Sequence, residues 1–278
     1  MVTTPFGARE TRRLLDRYGL RPKTSIGQHF VTDPNTVRKV VQIAEIEPGD
    51  QVLEVGPGVG ALSVALLEAR ARLIAVEVDR ALQPLLAEVL GSGARLVIAD
   101  ALHVDYGRLL GRVPTTLVAN LPYQIATPLV LDLLVGVPAV QSMTVMVQQE
   151  VGERLVATPG APAYGAVSAK VAWLASASIA SRVSRRVFYP MPDVESVIVR
   201  IDRRPLPLVR MRRERLFAVI EAGFAQRRKT MRRALRGAGW KVDDVERALG
   251  RADVDGGARA ETLSVPEFAA LAKALPPR

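Results

Sequence analysis

Asn120-Leu121-Pro122-Tyr123 gathers three groups able to hold a planar amine. The Asn120 side chain offers a carbonyl acceptor. Pro122 has no N–H and biases the residue before it towards an extended backbone, which leaves the Leu121 carbonyl free to act as a second acceptor. Tyr123 adds a flat ring, and stacking a base on such a ring is worth on the order of 1–3 kcal/mol. An exocyclic amine such as that of adenine is a poor nucleophile, because its lone pair is delocalised into the ring. Two acceptors that take both of its N–H groups let the nitrogen pyramidalise as an electrophile arrives.

A second constellation precedes this one, in Glu54-Val55-Gly56-Pro57-Gly58-Val59-Gly60. Three glycines at alternate positions let a ligand approach the backbone closely. Their Gly-x-Gly-x-Gly spacing differs from the Gly-x-Gly-x-x-Gly of dinucleotide sites, which argues against a pyrophosphate cofactor. Glu77, about twenty residues beyond Gly56, suits ribose hydroxyls. Asp100 can accept from the amino group of a bound adenosine. Glu54 fits either direct contact or the ordering of the glycine turn.

These residues need a scaffold that delivers them to one edge. Gln51–Val55, Leu73–Val76, Ala94–Ala99, Thr115–Ala119 and Thr144–Val147 read as strands, with a helix over Ala61–Leu67,. Alternating strands and helices predict a doubly wound, mostly parallel α/β sheet, which binds ligands at the carboxyl ends of its strands. Glu77, Asp100 and Asn120 all fall at such ends. A helix is expected over Thr36–Ala44 after Asp33-Pro34, and helices over Gln149–Val156 and Ala166–Ala175. Ile179–Val187 and Val194–Ile201 read as an antiparallel edge pair joined by the Pro190/Pro192 loop. Arg203-Arg204-Pro205-Leu206-Pro207 reads as a linker. Short helices follow over Arg212–Ala222, Thr230–Arg236, Val242–Leu249 and Pro266–Ala274. The expected domains are therefore residues 1–204, Rossmann-like with an N-terminal lead-in, and residues 205–278, small and all-α.

Composition sets outer bounds. The 278 residues, 49% hydrophobic, suffice for one large core and one small one. There is no cysteine, so disulfides and thiolate metal sites are excluded, and His29 and His103 form no zinc-type set. No apolar stretch approaches about 18 residues and the start of the chain lacks a secretory pattern. A cytoplasmic protein without metal or membrane attachment is expected. The net charge of +10 is concentrated: residues 203–236 hold 12 basic and 2 acidic side chains, so the remainder is neutral. Interleaved with Phe217 and Phe224, that segment predicts a phosphate-gripping surface, with Arg227, Arg228 and Lys229 as the leading contacts.

The order Glu-x-Gly-x-Gly-x-Gly, acidic strand end, Asp100-Ala101 and Asn120-Leu121-Pro122-Tyr123 resembles S-adenosylmethionine-dependent methyltransferases, specifically the rRNA adenine N6,N6-dimethyltransferases. Lys23-Thr24-Ser25-Ile26-Gly27-Gln28-His29-Phe30, Ala163-Tyr164-Gly165, Phe188-Tyr189-Pro190-Met191-Pro192-Asp193-Val194-Glu195-Ser196 and Phe224-Ala225-Gln226-Arg227-Arg228-Lys229-Thr230 extend the likeness over nearly the whole chain. They narrow it to the KsgA-type, small-subunit (16S) branch. The resemblance implies S-adenosyl-L-methionine as cofactor, held by Gln28, His29, Val31, Gly56, Gly58, Gly60, Glu77, Asp100, Ala101 and Asn120. It implies a target base gripped by Asn120, Leu121, Pro122 and Tyr123, with Phe188 as the opposing ring. The implied substrate is two adjacent adenosines near the 3′ end of small-subunit rRNA within the (pre-)30S subunit, and the implied state is a monomer. Where that family has Gly-Gln-Asn-Phe, this chain has Gly27-Gln28-His29-Phe30; imidazole can still donate or accept.

Three other readings compete. A large-subunit rRNA dimethyltransferase shares most of these motifs, but the Gln226-Arg227-Arg228-Lys229-Thr230 segment and the proline-rich loop favour the small-subunit type. DNA adenine and protein glutamine methyltransferases typically have Pro where this chain has Leu121. An rRNA-binding assembly factor with a vestigial site is opposed by the joint presence of Gly56, Glu77, Asp100, Asn120 and Tyr123.

Overall fold

The structure, a computed structural model, describes residues 6–226 and 228–277. Nine strands occur among them: β1 Phe30–Val31, β2 Gln51–Val55, β3 Arg72–Glu77, β4 Ala94–Ile98, β5 Thr115–Asn120, β6 Val140–Gln148, β7 Ala175–Val183, β8 Phe188–Tyr189 and β9 Ser196–Arg203. Seven form one sheet in the order β4-β3-β2-β5-β6-β9-β7. β4, β3, β2, β5 and β6 run parallel, and β9 pairs antiparallel with β6. Leu53, Val55, Leu117, Val118 and Ala119 are all buried. Strands apolar on both faces need helical cover on both sides, as a parallel sheet provides. The sheet is thus a mostly parallel, Rossmann-like α/β sheet, as the motif order predicts.

Its topology creates the site. From β2 the chain winds outward through β3 and β4, then returns to place β5 on the other flank of β2. The strand order reverses there, and open α/β sheets bind ligands at such a reversal. β2 and β5 pair with Leu53 opposite Leu117, so Gly56 and Asn120 leave the sheet side by side. A Cβ built on Gly56 would lie 3.8 Å from Asn120 O.

Chain entry is set by local chemistry. Asp33 caps the helix Pro34–Ala44 by accepting from Thr36 N at 2.8 Å, with proline at the first turn,. The preceding β1 pairs antiparallel with β8, Phe30 opposite Tyr189 and Val31 opposite Phe188. This small second sheet departs from the single strand expected over Ile179–Val187. Glu195 accepts from Arg185 N at 2.9 Å, and Ser184 caps a 3-10 turn over Arg185–Val187. These side-chain acceptors divert backbone donors from the ladder and break the strand in two.

Two compact units result. The first runs to Gly152 and takes in Ser178–Arg203; the second comprises Glu153–Ala177 and the chain from Arg204 onward. In the second, helices Ala166–Leu174, Arg213–Ala225, Met231–Gly237, Val242–Ala252 and Val265–Ala274 enclose Tyr164, Trp173, Leu216, Ile220 and Phe268. Ser264 and Glu267 form a capping box on the last helix,. The basic side chains of residues 203–236 are not equivalent. In the first unit Arg203 donates to the carbonyls of Leu133, Leu134, Val137 and Val140. In the second, Arg215 donates to those of Ala272 and Leu275. Both cations cap helix ends instead of facing a partner.

Candidate active site

A hollow of about 210 Å³ opens where β2 and β5 diverge. Its wall includes Gly56, Gly58, Glu77, Asp100, Ala101, Asn120 and Pro122, joined by Gln28, His29 and Val31 from the N-terminal segment. Gly60 does not line it. That glycine caps the helix Ala61–Glu68, and a Cβ there would meet Val89 at 2.8 Å. Gly58 is the tightest point of the cradle. Its φ is +59° and an added Cβ would lie 2.7 Å from the Phe30 ring, so both backbone and space demand glycine.

Two buried carboxyls sit at the base. Glu77 accepts from Gly58 N at 3.1 Å through Oε2 and from Asp79 N at 2.9 Å through Oε1. Both oxygens are thereby aimed, and each keeps a lone pair for a hydroxyl. Burial pushes the Glu77 carboxyl up, and the backbone donors oppose it. Glu54 is fully buried and accepts from Ser63 Oγ at 2.6 Å. Burial raises its pKa to about 8, so it is largely neutral at pH 7.

That shift has a measurable sign. Between the ordinary 4.5 and about 8 the unfolded chain has released the Glu54 proton while the folded chain keeps it. Stability therefore falls as pH rises through this window and levels off above it. Glu54→Gln keeps an acceptor for Ser63 and removes the titration. It is expected to raise the melting temperature at pH 8–9 by more than at pH 5, with about 4 kcal/mol as the upper figure. Equal shifts at both pH values would disprove the assignment.

Asp100 stands at the exposed rim. It accepts from Leu102 N at 2.9 Å, and Oδ2 lies 3.0 Å from His103 Nδ1. The Leu102 N–H first, then His103, hold it below the usual carboxylate range.

The tetrapeptide is arranged by a contact that its own sequence does not reveal. Asn120 Nδ2 donates to the main-chain carbonyl of His29 at 2.9 Å. A carbonyl accepts only from the NH2 end, so the amide orientation is settled and Oδ1 is turned elsewhere, with no donor on it among the described residues. Leu121 N donates to Met146 O at 3.0 Å and its side chain is buried. No main-chain N–H among the described residues bonds its carbonyl. Pro122 lies between two glycines, with a Cβ on Gly27 or Gly56 reaching it at 3.3 or 3.5 Å. Tyr123 begins the helix Tyr123–Gly136. It does not line the hollow itself, yet its ring stacks on His29 with centroids 5.7 Å apart and planes inclined by 22°. Burial pushes its hydroxyl up.

Phe188 lies elsewhere. Its ring is 6% exposed, belongs to the hydrophobic core and does not line the hollow. Lys23 and Asp79 are participants that motif reading passes over. Lys23 Nζ and Gln28 Nε2 donate to the two oxygens of Asp79 at 2.7 and 2.9 Å, and Gln28 Oε1 accepts from Lys23 N. Burial works to raise Asp79, but Lys23 and Gln28 outweigh it and hold it low. The segment 23–29 is thereby latched to the turn just after Glu77. The proximity of Asp79 to Glu77 in sequence was the one available signal.

In the second unit, Arg228 and Lys229 are exposed on the turn between helices Arg213–Ala225 and Met231–Gly237. Arg227 lies outside the described residues. Arg232 pairs with Glu246 and Arg247 with Asp244. Arg228, Lys229, Arg233 and Arg236 have no carboxylate partner among the described residues. There too, no group of three or more His, Asp or Glu could hold a metal ion, and no helix is long and apolar enough to cross a membrane.

Comparison with known proteins bears on this geometry. The family model described as Ribosomal RNA adenine dimethylase matches residues 19–276. The Ribosomal RNA small subunit methyltransferase A of Kineococcus radiotolerans is 46% identical over 277 residues, covering 98% of this chain and 92% of the relative. The crystal structure of 23S rRNA methyltransferase ErmE aligns with a TM-score of 0.67 at 27% identity, over 88% of this chain and 99% of that one. A dimethyladenosine transferase from Plasmodium falciparum shares the fold, with a TM-score of 0.75 at 23% identity over 87% and 96% of the two chains.

Proposed function

This chain belongs to the ribosomal RNA adenine dimethylase family, and on that premise we propose that it transfers methyl groups from S-adenosylmethionine to N6 of two adjacent adenosines in the 3′-terminal hairpin of small-subunit (16S) rRNA. The observation that carries this reading is Asn120, its amide turned so that Oδ1 meets no donor among the described residues, in the wall of a hollow that also holds a glycine cradle and an aimed carboxylate, with the Leu121 carbonyl next to it in sequence and without a main-chain donor among those residues. The residues fit the cofactor. Glu77 presents two oriented oxygens to a ribose diol, Gly58 leaves no room for a side chain between ligand and Phe30, and Asp100 stands where an adenine amine can donate. Bound there, the cofactor supplies an activated methyl group, so the protein's task is placement.

Asn120 Oδ1 and Leu121 O take the two N–H groups of the target amine and draw its lone pair out of conjugation. Tyr123 supports the base face. The methylated nitrogen is cationic and sheds its proton readily, which suits a site without a strong base beside Asn120. After one transfer the amine keeps a single N–H, so one acceptor suffices for the second. A target base drawn from a helix must first be extruded, at a cost of a few kcal/mol.

The small-subunit substrate is supported by 46% identity over 98% of the chain to a small-subunit enzyme, against 27% to a 23S rRNA enzyme. A cytoplasmic monomer acting on a (pre-)30S particle is the setting we infer. The second unit supplies the phosphate grip through Arg228, Lys229 and their neighbours, with Arg227 assigned from sequence alone. Replacing Arg228 and Lys229 by Gln is expected to flatten the slope of log affinity against log salt by about 2, one counterion per lost contact. An unchanged slope moves the RNA surface elsewhere.

The reaction itself is tested by transfer of labelled methyl from S-adenosylmethionine to unmethylated small subunits and, separately, to large subunits, followed by nucleoside analysis. N6,N6-dimethyladenosine confined to the small subunit is the expected result. Label in the large subunit alone would refute the substrate assignment.

A further inference from the structure

We propose that Asp79 is a positioning residue for methyl transfer: its carboxylate holds the segment 23–29 against the hollow, and cofactor affinity depends on that hold although Asp79 does not line the hollow itself. The inference rests on the S-adenosylmethionine-dependent reading above and adds a residue that none of the motifs behind that reading contains.

Asp79 serves two neighbours. Its main-chain N–H donates to Glu77 Oε1 at 2.9 Å, aiming the carboxylate we assign to the ribose. Its side chain, 8% exposed, serves the segment: Oδ1 accepts from Lys23 Nζ at 2.7 Å and Oδ2 from Gln28 Nε2 at 2.9 Å, while Ala81 N donates to Oδ1 at 3.1 Å. Lys23 in turn closes the segment on itself. Its carbonyl accepts from Ile26 N and Gln28 N, and its N–H donates to Gln28 Oε1. Ile26, Gly27, Gln28 and His29 all belong to the wall of the hollow.

The other side of the segment is tied towards β5. His29 O accepts from Asn120 Nδ2 at 2.9 Å, and Ser25 O from Gln124 Nε2 at 3.5 Å. Among the described residues, only the two bonds to Asp79 join the segment to the turn after β3. Without them this stretch of wall is held only through Asn120, Gln124 and Pro190. The cofactor must then supply the ordering that the protein otherwise provides in advance, and it binds more weakly for that reason.

Asparagine at position 79 tests the contact with little change of shape. With Oδ1 left to Lys23 and Ala81, its Nδ2 faces Gln28 Nε2, donor against donor. Turning the Gln28 amide to meet it takes Oε1 away from Lys23 N. Gln28→Glu alone sets two carboxylates against each other. In the double variant the polarity is reversed and every bond returns, because Nδ2 donates to one oxygen of the new carboxylate and the other still accepts from Lys23 N.

Calorimetry of S-adenosylmethionine binding to the full-length proteins gives Kd, steady-state transfer to unmethylated small subunits gives both KM values, and thermal melts confirm folding. Asp79→Asn and Gln28→Glu are each expected to raise Kd and KM for S-adenosylmethionine on the order of tenfold, to leave the KM for subunits unchanged, and to be largely rescued in the double variant. Wild-type Kd in Asp79→Asn would overturn the proposal whether or not the melting temperature falls, since that pattern leaves Asp79 a purely structural role. A double variant as weak as the single ones would overturn it too. If Asp79→Asn does not fold, Lys23→Met decides, since that side chain is half exposed: a Kd raised about threefold and restored by Lys23→Arg is expected, and wild-type affinity refutes the proposal. Absence of S-adenosylmethionine binding by the wild-type protein defeats the methyltransferase reading itself, a result distinct from any pattern among the variants.

Discussion

Asn120→Ala is expected to lower kcat for methyl transfer by about 100- to 1000-fold, the scale on which one preorganised polar group acts at a reacting centre. The change removes two things at once: the acceptor we assign to the target amine and the amide that bonds His29 O at 2.9 Å. Asn120→Asp separates them. Aspartate still offers an acceptor but turns an oxygen towards the His29 carbonyl, so it should recover part of the rate and not all of it. RNA affinity, which we assign to cations of the second unit, should stay within about twofold by filter binding. Equal loss of rate and affinity in Asn120→Ala would contradict this division of labour.

Gly58→Ala is expected to weaken S-adenosylmethionine binding at least tenfold by calorimetry and to lower the melting temperature. The left-handed backbone at φ +59° costs a non-glycine residue about 1–2 kcal/mol. A methyl group 2.7 Å from Phe30 Cδ1 cannot be accommodated unless β1 or the cradle shifts. Either movement disturbs Gly58 N, which aims Glu77, so the damage reaches the carboxylate we assign to the ribose without touching it. Wild-type affinity in this variant would mean that the cradle is looser than its contacts indicate.

Much of this arrangement is legible in the chain. Strands β2, β3, β4 and β5 fall where apolar β-branched runs put them, and each delivers its functional residue at its carboxyl end because sheet topology makes that edge common to all. The aimed orientation of Asn120 is not legible, since it depends on a carbonyl 91 residues away in sequence, and the His29 to Pro190 bond spans 161. Periodicity reports neighbours within a few positions and is blind to such pairs. Residues 179–187 mislead for a related reason: they have strand composition throughout, but Glu195 and Ser184 take the donors that a continuous ladder needs. The charge run likewise overstates the number of cations free for a partner, because nothing local distinguishes Arg203 and Arg215, spent on helix ends, from exposed Arg228.

The pairing of β1 with β8 has a consequence for biosynthesis. Every motif of the catalytic mouth has been synthesised once residue 123 is made, yet the segment bearing Phe30 and Val31 has no edge to join until Phe188 and Tyr189 have followed. Closing so long a loop is entropically slow. The nascent enzyme therefore holds its chemistry in an unassembled form for most of its synthesis, and competence arrives in one late docking event near the end of the first unit.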